Sequence, residues 1–124
     1  MNKGKDTDEV CKVILTNSKE EILFLVKKSG KLDLPGGHIQ KGETLLKGLF
    51  REVEEETSIT LKKAVFYKKV ENTNYFFAKY NNDEIKISDE HKSYKFVSKR
   101  SLDLSDKYQK IAHEISKKGK YTDD

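Results

Sequence analysis

Four carboxylates in five residues, Glu52-Val53-Glu54-Glu55-Glu56, are the densest group of chemically capable side chains in the chain. On a helix turning about 100° per residue, Glu52, Glu55 and Glu56 share one arc. Like charges spaced three and four residues apart repel one another. In the last turns of a helix the dipole disfavours anions as well. A hard divalent cation reverses both penalties, because carboxylate oxygens are the donors that Mg²⁺ and Mn²⁺ prefer. Gly48 lies one turn earlier on the same arc. Glycine inside a helix costs about 1 kcal/mol relative to alanine, and its missing side chain is expected to leave room for a ligand above the carboxylates. A solvated acidic face with an incidental glycine fits the helix equally well, and the helix alone does not choose between these readings.

The loop before the helix adds weight to the first. Leu34-Pro35-Gly36-Gly37 contains the only proline and a glycine pair. Such a pair permits backbone conformations closed to other residues and close approach of a ligand to the main chain. Glu43 returns a carboxylate toward the same side, and Arg51, among the glutamates, can pair with one and hold it in place.

Several elements must position these groups. Thr44 is placed to cap a helix over residues 45–57, where Leu45, Leu46, Leu49, Phe50 and Val53 form one apolar stripe. Val10, Val13, Ile14 and Leu15 predict a strand over 9–16, and Asn17-Ser18-Lys19-Glu20 a turn. The unbroken run Ile22 to Val26 predicts a second strand over 21–28, covered on both faces and forming a hairpin with the first. Residues 29–42 read as mostly loop. Strands follow at 62–70, 74–80 and 94–98, with a polar loop over 81–92. Tyr108, Ile111, Ala112 and Ile115 predict a second helix over 105–118. Residues 1–8 are polar and expected to fray. The 124 residues make one domain, 1–124, of α/β (α+β) class, with a mixed β-sheet between helices in an α/β/α sandwich.

Composition narrows the setting. The net charge of +4, from 25 Lys and Arg against 21 Asp and Glu, suits an anionic ligand and permits RNA. Cys11 is the one cysteine. It cannot form an internal disulfide, which points to a reducing cytoplasm, and it reads as a small buried strand residue. No apolar run approaches the roughly 18 residues of a membrane span, and the first residues lack the apolar stretch of a secretory signal.

Gly37, five residues, Glu43, seven residues, then Arg51-Glu52-Val53-Glu54-Glu55-Glu56-Thr57-Ser58-Ile59 resembles the Nudix box, departing from it only at Ser58, where the pattern has glycine. Leu34-Pro35-Gly36-Gly37 is similar to the usual lead-in. Ser88-Asp89-Glu90-His91 resembles the stretch that often supplies a further acidic residue. Two departures stand out. Ser58 must manage the turn after the helix without glycine's freedom, so the helix is expected to end differently. Leu32 stands where many members carry tryptophan.

The resemblance implies a fold and a site. The fold is a Nudix-like α/β/α sandwich. The metal ligands are Glu52, Glu55 and Glu56, with the Gly36 carbonyl added, and the cofactor is Mg²⁺ or Mn²⁺. The ions would bind diphosphate oxygens and lower the pKa of a water that attacks phosphorus. Glu52, and after it Glu90, is the expected base, and Arg51 orients Glu55. Glu43 acts through water or by shaping the loop. Gly37, His38, Lys27 and Tyr75 fall on the substrate side, although a solvated lysine and core packing of the Tyr75-Phe76-Phe77 run are the plainer readings. His91 reads as structural or surface. The implied reaction is cleavage of a diphosphate linkage in a nucleoside polyphosphate or dinucleoside polyphosphate. The alternatives are an RNA 5′-end pyrophosphohydrolase and a catalytically weak nucleotide-binding module. The expected partner is a small nucleotide, with no membrane, and the chain is read as a monomer or homodimer.

Overall fold

Alternation along the first strand divides the molecule into layers. In β1 (Asp6–Thr16), Cys11, Val13 and Leu15 share one cluster, and Ile14 belongs to another. This period of two is that of a strand with both faces buried. The computed structural model describes residues 6–118. After β1 come β2 (Glu21–Val26), β3 (Leu32–Asp33), β4 (Gly36–Gln40), α1 (Leu45–Thr57), β5 (Val65–Val70), β6 (Thr73–Lys79), β7 (Ser93–Ser98) and α2 (Lys107–Lys118).

The strands form one sheet in the order β3-β2-β1-β6-β5, with β4 also paired to β1 and β7 to β2. β1 and β6 run parallel, and the other pairs are antiparallel. On one face Leu49 and Val53 of α1, both fully buried, pack on Cys11, Val13, Leu15, Leu23 and Phe76. On the other, Ile111, Ala112 and Ile115 of α2 meet Ile14, Ile22, Phe24, Tyr75 and Phe77. Each fully buried aliphatic side chain contributes about 1.5–3 kcal/mol. A mixed sheet between two helices is thus the architecture, as expected. No helix among the described residues is long and apolar enough to cross a membrane.

The structure corrects several details. Asp6 to Asp8 are strand rather than frayed chain, and residues 1–5 lie outside the described residues. The second strand stops at Val26, so Lys27 and Lys28 lie in an exposed turn. The segment over 29–42 is not mostly loop, for it holds β3 and β4. Its glycines conceal a strand that is specified by pairing and not by side-chain propensity: Gly36 and Gly37 lie opposite Lys12 and Cys11 in β1. A Cβ on Gly36, whose φ is +134°, would stand 2.0 Å from the Cys11 carbonyl oxygen. Only glycine allows that approach. In α1, Leu46 is 39% exposed and lies off the buried stripe.

Candidate active site

α1 begins and ends where its residues dictate. The Thr44 hydroxyl accepts the Lys47 N–H at 3.1 Å and caps the first turn. At the other end Ser58 takes the left-handed conformation, φ 67° and ψ 12°, and donates its N–H to the Glu54 carbonyl. The helix therefore terminates in the geometry glycine favours, contrary to the expectation that serine would change it. Gly48 also differs from expectation. A Cβ there would lie 2.4 Å from Ile39 Cδ1 and 3.0 Å from Glu43 Oε1. The space belongs to the side chains of β4 and the following loop, which it allows to pack closely on α1, and no room for a ligand is left.

Arg51 organises the near side of the helix. Its Nε donates to Glu43 Oε2 at 2.6 Å and its NH2 to Glu43 Oε1 at 3.0 Å, a two-point pairing that fixes the guanidinium plane. The same group bonds the His38 carbonyl at 3.1 Å, Glu52 Oε2 at 3.2 Å and Glu55 Oε1 at 3.3 Å. Glu43 also accepts the Gln40 N–H at 2.8 Å. It ties loop, strand and helix together, and the bonds from Arg51 and Gln40 hold its carboxyl below the ordinary range despite some desolvation.

The three helix carboxylates occupy different environments. Glu55 is exposed. Glu52 is half-buried. Its pKa is raised by burial first, with Arg51 opposing and with Glu55 and Glu90 adding repulsion. Gly37 is the reason its head fits, since a Cβ on Gly37 would lie 2.6 Å from the Glu52 carboxylate. Glu56 is 5% exposed and accepts the Gly36 N–H at 2.9 Å. Burial pushes its pKa up to about 8, against the pull of that bond and of Lys12.

The loop before β7 reaches the same end of α1. Its N–H groups at Lys86 and Ser88 donate to the Thr57 and Glu56 carbonyls, at 2.9 and 3.0 Å. These carbonyls would otherwise go unpaired at the helix end. The docking carries Glu90 and His91 to the carboxylates: one ligand atom each from Glu56, Glu90 and His91 lie within 4.8 Å of one another.

Beneath this lies a buried charged group that the sequence reading did not anticipate. Lys12, 7% exposed, donates Nζ to Asp33 Oδ1 and the Leu34 carbonyl, both at 3.0 Å, with the Gly36 carbonyl at 3.5 Å. The other Asp33 oxygen meets His91 Nε2 at 2.9 Å. Burial works against the Asp33 charge, but Lys12 and the bond from His91 outweigh it and leave the carboxyl below its usual range. The available signals were a lysine inside the apolar run Val10 to Leu15 and an aspartate between Leu32 and Leu34.

The structure thus brings Gly36, Gly37, His38, Glu43, Arg51, Glu52, Glu55, Glu56 and Glu90 together along one flank of α1. Lys27 stands apart in its exposed turn. Tyr75 is 2% exposed in the α2-side core, edge-on to Tyr108, and presents no ring face to a solvent-borne base. The donor set fits a hard divalent cation: several carboxylates are forced together, and the buried one, Glu56, has no ion-pair partner within 4.0 Å among the described residues.

Comparison with known proteins bears on the fold and the family. Comparison with curated proteins yields no match. Among solved structures, the chain resembles the MutT protein from Methanosarcina mazei Go1 at 25% identity and a TM-score of 0.70, over 97% of this chain and 99% of that one. It resembles a MutT protein from Bacillus halodurans at 25% identity and a TM-score of 0.66, over 85% and 79%. It shares its fold with an Ap4A hydrolase from C. elegans at 20% identity and a TM-score of 0.70, over 88% and 95%. A model of the NUDIX domain matches residues 7–118, nearly the whole chain, and with the carboxylate helix, its arginine clamp and the glycine loop in place, the protein belongs to the Nudix hydrolase family.

Proposed function

We propose that the protein hydrolyses a diphosphate linkage in a nucleoside triphosphate or dinucleoside polyphosphate, using divalent metal held at the end of α1. The observation that carries this reading is the convergence of Glu52, Glu55, Glu56 and Glu90 on one place, with Arg51 fastened to one side of it. Bound Mg²⁺ or Mn²⁺ supplies charge neutralisation for the phosphates and a more acidic water.

The chain's own residues do the rest. Glu52, Glu55, Glu56 and the Gly36 carbonyl hold the metal. Arg51 orients Glu52 and Glu55 and stays clear of the substrate, because Glu43 and the His38 carbonyl already occupy much of its guanidinium. Glu52 is the base that takes the proton from the attacking water. Its carboxylate is held by Arg51 and seated against Gly37. Glu90 is the second candidate for the same proton. Gly37 and His38 form the backbone wall along which the substrate lies.

A panel of nucleotide substrates with Mg²⁺ or Mn²⁺, with products read by mass, tests the reading and identifies the bond cleaved. Glu55 has an exposed side chain, so Glu55→Gln should leave the folded structure intact while turnover falls by orders of magnitude. Unchanged turnover in that variant would remove Glu55 from the site. No product from any substrate in the panel would overturn the hydrolase reading.

A further inference from the structure

His91 has two ring nitrogens in very different situations. Nε2 is bound to Asp33 Oδ2 at 2.9 Å. Nδ1 is buried and finds no hydrogen-bond partner among the described residues. The residue as a whole is only 9% exposed. A buried ring nitrogen without a partner is uncommon, because desolvating it without a compensating bond is unfavourable. Asp33 also determines which nitrogen holds the lone pair. Its carboxylate accepts a hydrogen bond, so the neutral ring carries its proton on Nε2 and presents a bare electron pair at Nδ1. Lys12 holds Asp33 from the other side at 3.0 Å, so the acceptor is itself fixed.

An imidazole whose far nitrogen donates to a carboxylate is the arrangement found around protein-bound metals, where the carboxylate sets the tautomer and the ring orientation. The remaining partners are present here. A carboxylate oxygen of Glu56, one of Glu90 and a His91 nitrogen lie within 4.8 Å of one another. They come from two elements, the end of α1 and the loop docked on it by the Ser88 N–H to Glu56 carbonyl bond.

We propose that His91 Nδ1, with Glu56 and Glu90, forms a mixed nitrogen–oxygen site for a divalent transition metal, oriented by the Asp33–Lys12 pair behind it. The inference rests on the reading that the end of α1 holds metal, and it adds a ligand of a different chemical kind. Imidazole suits Fe²⁺, Ni²⁺ and Zn²⁺ better than it suits Mg²⁺, so this position favours the transition ions; Mn²⁺, the weakest binder among them, serves as the spectroscopic probe. Asp33 and Lys12 act through His91 and are positioning residues.

The test uses Mn²⁺ alone, added below stoichiometry to the full chain, with nitrogen coupling read by electron spin-echo modulation. The chain has three histidines, His38, His91 and His113. Labelling them with ¹⁵N should convert a ¹⁴N pattern into a ¹⁵N pattern. His38→Ala should keep the coupling and His91→Gln should lose it, with Mn²⁺ affinity falling by about tenfold or more and Mg²⁺ affinity changing less. If His91→Gln does not fold, His38→Ala and His113→Ala decide: coupling kept in both leaves His91 as its source, and coupling lost in either overturns the assignment. Bound Mn²⁺ with no nitrogen coupling in the wild type overturns the His91 ligand and leaves the carboxylate site standing. Coupling that persists in His91→Gln overturns the assignment. No Mn²⁺ binding overturns both the site and the reading on which it rests.

Discussion

Glu56 meets two opposed demands. Its place near the end of α1, on the edge of the apolar stripe, buries it, yet its chemistry asks for charge. In the metal-free protein burial prevails and the pKa rises from 4.5 to about 8. Folded chains therefore keep a proton on Glu56 that unfolded chains release near 4.5. Unfolding then liberates a proton between those values, and stability must fall as pH rises across that window. Chelated protein should thus show its thermal midpoint declining from about pH 5 to about pH 8. Glu56→Gln, which cannot ionise, should flatten this decline, as followed by circular dichroism against temperature at a series of pH values. Equal slopes in the two proteins would mean that Glu56 is less buried than described. A bound cation should suppress the decline in the wild type by stabilising the carboxylate.

The residues that clamp the site were only partly legible in isolation. Arg51 and Glu43 stand out by their spacing, which directs Arg51 to Glu55; the two-point pairing of Arg51 with Glu43 appears only in the fold. Lys12, Asp33 and His91 are separated by 21 and 58 residues and meet only because β1, β3 and the loop before β7 converge. No local pattern records such a meeting beyond the oddity of charge inside apolar runs.

At the scale of elements, α1 was legible from end to end. Its apolar stripe and its Thr44 cap are local features, and the helix spans Leu45–Thr57. Its terminus is the informative departure. Ser58 is exposed and holds φ 67°, a conformation that costs a residue with a Cβ roughly 1–2 kcal/mol. Glycine escapes that strain but adds freedom to the unfolded chain, worth about 0.4–1 kcal/mol. Ser58→Gly should therefore stabilise the protein by up to about 1 kcal/mol, measured by urea denaturation with the slope unchanged. Destabilisation would show that the serine side chain makes a compensating contact. β4 was hidden for the opposite reason. Its glycines have poor strand propensity, and its existence depends on pairing with β1, a long-range event.

At the scale of the whole molecule, the sheet separates two jobs. The α2 side carries an apolar core that includes Phe24 and Phe77, with Tyr75 sealed inside it, and the α1 side carries the candidate site. Metal bound at the end of α1 stabilises only the folded chain, because the carboxylates, the β7-side loop and β4 come together only there. At a hundredfold excess over the dissociation constant this amounts to about 2.7 kcal/mol. Titrating Mn²⁺ into chelated protein should raise the thermal midpoint continuously with concentration. A midpoint that ignores Mn²⁺ would count against a site formed by folding.

The chain by itself determined the carboxylate helix, its cap, the arginine among the glutamates and the family to which they belong, because each depends on residue type at short, fixed spacing. It also determined the layer order, since the periods of two and 3.6 are written locally. Only the tertiary structure decided that Gly48 serves packing, that Gly36 and Gly37 belong to a strand, that Tyr75 is core, and that His91 is buried against Asp33 beside Glu56 and Glu90. Those outcomes depend on which distant surfaces exclude water together, and burial of that kind is a property of the assembled sheet and helices.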